Sequence, residues 1–169
     1  MSASQRSQAS ASISMRTLSA FELVNLWEWG QQQHPLDRAL SLLKLSLPKA
    51  EASQVAQLSV GQRNLRLLCL REQMLGSRLN GYAECPHCRE KLEFSVVTTM
   101  LHQPEPQEME FDVQVQEYTL HCHLPTSVDL AALVGYDDVA AARKLLFERC
   151  ISAASYQSQP VEQTELPDS

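Results

Sequence analysis

The chain predicts an α+β fold, mostly α. A helical body is expected to carry a small antiparallel β element with a zinc-ribbon-like Cys-x-x-Cys knuckle. Three observations lead there. Apolar residues recur at helical spacing from Leu18 to Leu75 and again from Val139 to Ile151. Between those stretches lie runs of strict alternation, such as Leu92, Phe94, Val96 and Tyr118, Leu120, Cys122, Leu124. Cys85-Pro86-His87-Cys88 stands directly before the first of these runs. A period near 3.6 marks a helix with one apolar face, and a period of 2 marks a half-buried strand.

The 169 residues suffice for one domain, and 44% hydrophobic residues provide an ordinary core. Residues 1–16 and 156–169 are rich in Ser, Gln and other polar residues and are expected to be disordered tails. Residues 17–155 read as one domain: helical over 17–80, β and knuckle over 81–124 with an exposed loop at 98–110, and helical over 125–155. The net charge of −6 opposes phosphate-backbone binding, which needs clustered Lys and Arg. The five cysteines contain one close pair, unlike a disulfide framework. With no apolar leader and no run of membrane-spanning length, the expectation is a soluble cytoplasmic protein with reduced thiols.

The elements follow in order. Ser19 and Glu22 have the capping-box spacing, and Leu18 with Leu23 the spacing of a hydrophobic staple. The helix they open carries Trp27 and Trp29 towards Gly30. Two residues two apart cannot share a helix face, so one Trp is expected in the core and the other at an edge or contact surface. Covering the domain's own core is the plain alternative for both, and an outward Trp would anchor a partner. Pro35 suits the first turn of a second helix, which Pro48 ends. Lys49 to Gln57 reads as a weaker helical segment. Ser59 and Gln62 open the central helix, and Gly76 stops it. Phe111 to Val115 and Tyr118 to Leu124 read as one or two strands with a break near Gln116. Thr126 or Ser127 caps a short helix, and Asp137 caps a last helix that carries Cys150 and Ile151.

Chemistry concentrates at the cysteines. A Cys-x-x-Cys turn presents two sulfurs on one side, half of what tetrahedral Zn²⁺ requires. The expected site is Cys85, Cys88, His121 and His123, with structural zinc as the cofactor. His121 and His123 share one face of their strand, and Cys122 lies on the apolar face with Leu120. His102, Cys122 and Cys150 are alternative ligands. Cys-Pro-His-Cys also occurs in thiol oxidoreductases of the thioredoxin fold, but these place it at a helix N-terminus. A nucleic-acid-binding regulator is a further alternative, which Glu84, Glu90 and Glu93 around Arg89 and Lys91 weaken. No glycine-rich phosphate loop, nucleophile elbow or His-Glu-x-x-His motif is present. Arg63, Arg66, Arg71 and Arg78 read as a solvated face.

Several segments in order resemble a known family. They are Gly61-Gln62-Arg63 leading to Leu70-Arg71-Glu72 and Gly76, the knuckle Cys85 to Cys88, Leu124-Pro125-Thr126-Ser127 with Asp129-Leu130, and Glu148-Arg149-Cys150. From Leu18 to Ala154 the chain resembles small baseplate-associated proteins of contractile phage tails and phage-like contractile injection systems. These are akin to the baseplate hub assembly chaperones of T-even phages. The resemblance implies a non-enzymatic protein-binding role, as assembly chaperone or minor baseplate subunit. It implies hub, spike or wedge proteins as partners, with no nucleic acid, membrane or small-molecule substrate. Trp27 and Trp29 are the candidate partner-binding residues.

Overall fold

A computed structural model describes residues 15–102, 108–157 and 159–161. The tail expected over 1–16 lies outside these residues except for Met15 and Arg16. Residues 103–107 of the expected loop and most of the second expected tail also lie outside them.

Helix α1 (Ala20–Gly30) starts at the Ser19 capping box. The Arg16 guanidinium, followed by the backbone and hydroxyl of Ser19, holds the Glu22 carboxyl down to about 2. Helix α2 (Pro35–Ser46) begins with Pro35, while the His34 ring accepts the Leu36 N–H at 3.2 Å. Helix α3 (Ala52–Ala56) leads to α4 (Val60–Leu75), which the Ser59–Gln62 box caps. Gly76 ends α4 at φ 84°, a conformation open to glycine at little cost. Leu43, Leu47, Ala50 and Val55 form the core of this helical half, with Leu58 and Leu67 packed against them.

The β structure departs from expectation. Among the described residues there are six helices and two separate antiparallel sheets, in place of one small β element. Among the described residues, strands β1 (Arg78–Glu84) and β2 (Lys91–Val97) pair only with each other, forming a two-stranded ribbon with the knuckle at its tip. Strands β3 (Glu110–Val115), β4 (Tyr118–His123), β5 (Ile151–Tyr156) and β6 (Gln159–Val161) form the second sheet in that order. The zinc-ribbon-like arrangement is therefore corrected: the strand bearing His121 and His123 does not pair with the knuckle ribbon. Alternation identifies a strand but does not name its neighbour. The neighbours of β4 are β3 and, on its other side, β5, where Ile151 and Ala154 join Leu120 and Cys122 in a second buried cluster.

Helix α5 (Ser127–Ala131) is capped by Thr126, and α6 (Val139–Cys150) by Asp138 rather than Asp137. The expected last helix, carrying Ile151, gives way after Cys150 to β5. Ala153 and Ala154 are good helix formers, yet pairing with β4 overrides local preference. The Ser152 hydroxyl adds a bond to the His121 carbonyl at 3.1 Å. Tyr156 also belongs to this strand, and β6 follows it where a disordered tail was expected.

The two halves meet at Ser59 and Thr126. These form an isolated bridge, and the Val60 N–H reaches the Pro125 carbonyl at 2.9 Å. Arg63 adds a bond to Ser127 Oγ at 3.2 Å. At the ribbon's root, the Arg71 guanidinium spans the carbonyls of Gly76 (2.7 Å) and Arg78 (2.8 Å). Arg71 therefore braces the turn instead of lying on a purely solvated face. No described helix is long and apolar enough to cross a membrane.

Candidate functional site

The knuckle is built by the backbone. Strands β1 and β2 run in register from Arg78↔Val97 to Glu84↔Lys91, which closes Cys85 to Glu90 into a tight turn. The Cys85 N–H bonds the Glu90 carbonyl at 2.9 Å, and the Arg89 N–H bonds the Cys85 carbonyl at 2.8 Å. The backbone N–H groups of Cys88 and His87, and then the Cys88 thiol, hydrogen-bond the Cys85 sulfur and pull its pKa below that of an ordinary thiol. N–H groups aimed at a sulfur stabilise the thiolate, the form that ligates metal. The turn closes through Arg89 at φ 60°, a left-handed position that glycine takes more readily. Replacing Arg89 by glycine is expected to leave the fold intact. It should change stability by no more than about 1 kcal/mol, because relief of strain opposes the greater freedom of the unfolded chain. Equilibrium urea unfolding checks this.

Phe94 supports the same ribbon. Its ring lies over Gly81, the residue paired with it across the strands, so close that an added Cβ would come within 2.7 Å of the ring. A Cβ there would push the half-exposed Phe94 ring aside, whereas the glycine backbone gains an aromatic cover.

The expected four-residue metal site does not assemble. Cys85 and Cys88 share the ribbon tip, but His121 and His123 lie on β4 in the other sheet. His121 is exposed and pairs with Asp112 directly across β3. His102 lies 3.4 Å from Glu72. Cys122 is buried beside Leu120, as its place in the alternation predicts. The donor set of one chain thus matches half of a tetrahedral zinc site at the knuckle, and the Cys₂His₂ combination does not fit.

One cluster of three potential ligands does form among the described residues: His123, Asp129 and Cys150. Its hydrogen bonds favour a structural role. Asp129, only 4% exposed, accepts from the Thr126 N–H (2.9 Å) and hydroxyl (2.7 Å), and from Arg149 Nε (3.2 Å). Burial alone would raise its pKa, but the Thr126 bonds, then His123 and Arg149, outweigh that and hold it below the usual carboxylate range. Both ring nitrogens of His123 face carbonyl oxygens, those of Leu124 and Arg149, at 3.0 Å each. Nδ1 also lies 3.8 Å from Asp129 Oδ2, within the same cluster. Burial, followed by nearby Asp129 and Cys122, pushes the Cys150 thiol up, opposed by Arg149. The arrangement ties β4, α5 and α6 together. The sequence signals for it were Thr126-x-x-Asp129, a capping-box spacing, and the Glu148-Arg149-Cys150 run.

The second candidate surface is on α1. Leu23, Leu26 and Gly30 turn inward, while Phe21, Val24 and Trp27 lie exposed. Trp27 is 69% exposed and Trp29 45%. The expectation that at least one Trp would be core is corrected. The inward positions are taken by smaller residues spaced three and four apart, which lets α1 sit close on α2, with Gly30 against Arg38. Successive threes place Phe21, Val24 and Trp27 along one outward strip.

The chain matches no family model, no curated protein and no solved structure. The ribbon tip sets the Cys-Pro-His-Cys motif between antiparallel strands, not at the start of a helix. That is unlike the thioredoxin-type setting, in which the helix N-terminus activates the first thiol.

Proposed function

We propose that this protein is a non-enzymatic, protein-binding component of contractile-tail or injection-system baseplate assembly, acting as an assembly chaperone or a minor subunit. The observation that supports this reading best is the outward strip of α1, where Phe21 and Trp27 are 75% and 69% exposed. A helix that is apolar on two sides buries one side in its own body and offers the other to a partner. Tryptophan and phenylalanine supply large contact area at low entropy cost, the usual chemistry of an interface anchor. The order of segments that resembles the baseplate-associated family points to the partner class: hub, spike or wedge proteins.

Binding to purified hub, spike and wedge proteins tests the reading. Trp27→Ala is expected to weaken capture of the cognate partner about 30-fold, an anchor loss of about 2 kcal/mol. Its unfolding free energy should stay within about 0.5 kcal/mol of wild type, because the side chain is mostly solvent-exposed already. Partner binding unchanged in Trp27→Ala would remove α1 as the docking surface. Failure to bind any baseplate component would remove the proposed role.

A further inference from the structure

We propose that the Cys85–Cys88 knuckle is half of a metal site that a second copy of this chain completes, so that one zinc ion is held by four thiolates from two ribbon tips. The inference does not rest on the baseplate reading.

The first argument is ligand supply. Zinc takes four ligands in structural sites, and the knuckle offers two with its backbone N–H groups already turned to the Cys85 sulfur. The residues outside the described part contain neither Cys nor His, so every other soft ligand of the chain has a known place. His34 caps α2, and His102 faces Glu72. His121 faces Asp112, and His123 lies between two carbonyls. Cys69 lies within α4, while Cys122 and Cys150 sit by the second sheet. Even His87, inside the turn, does not converge with the two thiols as a third ligand.

The second argument is shape. Beyond its root the ribbon packs chiefly on itself, so its tip is accessible. A two-fold axis through the tip brings the same two sulfurs from each copy to one point, which is the self-complementary geometry of a symmetric dimer. Register partners place Ala83, Leu92 and Phe94 on one face of the ribbon beside the tip, all of them exposed. A second ribbon would cover that strip. A two-stranded ribbon is marginal by itself in water and gains from such cover.

The third argument is charge. Glu84, Glu90 and Glu93 alternate with Arg89 and Lys91, so each tip carries both signs, and a two-fold arrangement can set the acids of one copy against the bases of the other. On ligation the four thiols release their protons to solvent. The resulting centre has two net negative charges, and the Arg89 of each copy stands next to it in sequence.

The test is titration of the full metal-free chain with Zn²⁺, read by light scattering and native mass spectrometry. The expected result is a shift from monomer to dimer that saturates at one zinc per two chains and reverses on chelation. Cys85→Ser combined with Cys88→Ser should stay monomeric at the same zinc concentration, with unchanged helical circular dichroism. His87→Ala should dimerise as wild type does. Because the double variant could lose the ribbon itself, Co²⁺ on the wild-type chain supplies an independent readout. The absorption of a tetrahedral four-thiolate centre is expected. One zinc per monomer, a cobalt spectrum with nitrogen or oxygen ligands, zinc-driven dimers that survive the double substitution, or no uptake at all would each overturn the proposal.

Discussion

Replacing Asp129 with alanine is expected to cost about 2–4 kcal/mol, because the cap of α5 and the charged bonds of a buried carboxylate are lost together, while Arg149, 35% exposed, can turn to solvent. Thr126 would lose the acceptor for both its N–H and its hydroxyl, so the cap of α5 fails along with the ion pair. Arg149 would keep its charge at the junction of α6 and β5 without the carboxylate that neutralises it. Asp129→Asn should be milder, because the amide oxygen can still accept from Thr126, while the bond to Arg149 and the charge are lost. Urea unfolding at neutral pH distinguishes the two. A loss below about 1 kcal/mol for the alanine variant would mean that the cluster does not hold α5, α6 and β4 together.

The same group sets a pH dependence with a definite sign. The folded-state pKa of Asp129 is held below its ordinary value. Its stabilising contribution is therefore complete above the ordinary carboxylate range and is lost as the pH falls through the depressed folded value. Wild type should lose stability on acidification through that window, and Asp129→Asn should lose correspondingly less there.

The second large effect is expected in the helical half. Leu43 is fully buried, at 0% exposure, among Leu47, Ala50 and Val55. Leu43→Ala should cost about 3–4 kcal/mol, combining lost transfer free energy with the cavity left behind. The helical core is small and Leu43 lies inside it, so neighbours on three short helices cannot all close on the gap. Leu43→Met, which nearly conserves volume, should cost less than about 1.5 kcal/mol. Equal losses for the two variants would show that side-chain shape, not filled volume, governs this core.

Much of the helical half was legible from local chemistry. Ser19 with Glu22, Ser59 with Gln62, Pro35 and Gly76 act within one turn of the chain, where spacing alone specifies the hydrogen bonds. The break at Gln116 was legible too, and it is a turn with Gln116 at φ 57° between β3 and β4. What local pattern could not supply was partnership. Ile151 to Tyr156 becomes a strand because β4 has an unpaired side available, a fact about residues some thirty positions away. His121 and His123 do share the side of β4 opposite Cys122, but the ribbon with the thiols belongs to another sheet. Trp27 was misplaced for a related reason. A helix with apolar residues on two sides does not reveal which side its own body will use. The side with Leu23, Leu26 and Gly30 won because it permits a closer approach.

The Arg71 brace has a mechanical consequence. Seven residues of extended chain carry the ribbon tip about 23 Å from its root. The ribbon is a lever arm, and rotation by about 10° at the root swings the sulfurs through about 4 Å. That displacement exceeds the length of a metal–sulfur bond, about 2.3 Å. The aim of the tip is thus decided at the far end, where one guanidinium grips the Gly76 and Arg78 carbonyls across the only bend between α4 and β1.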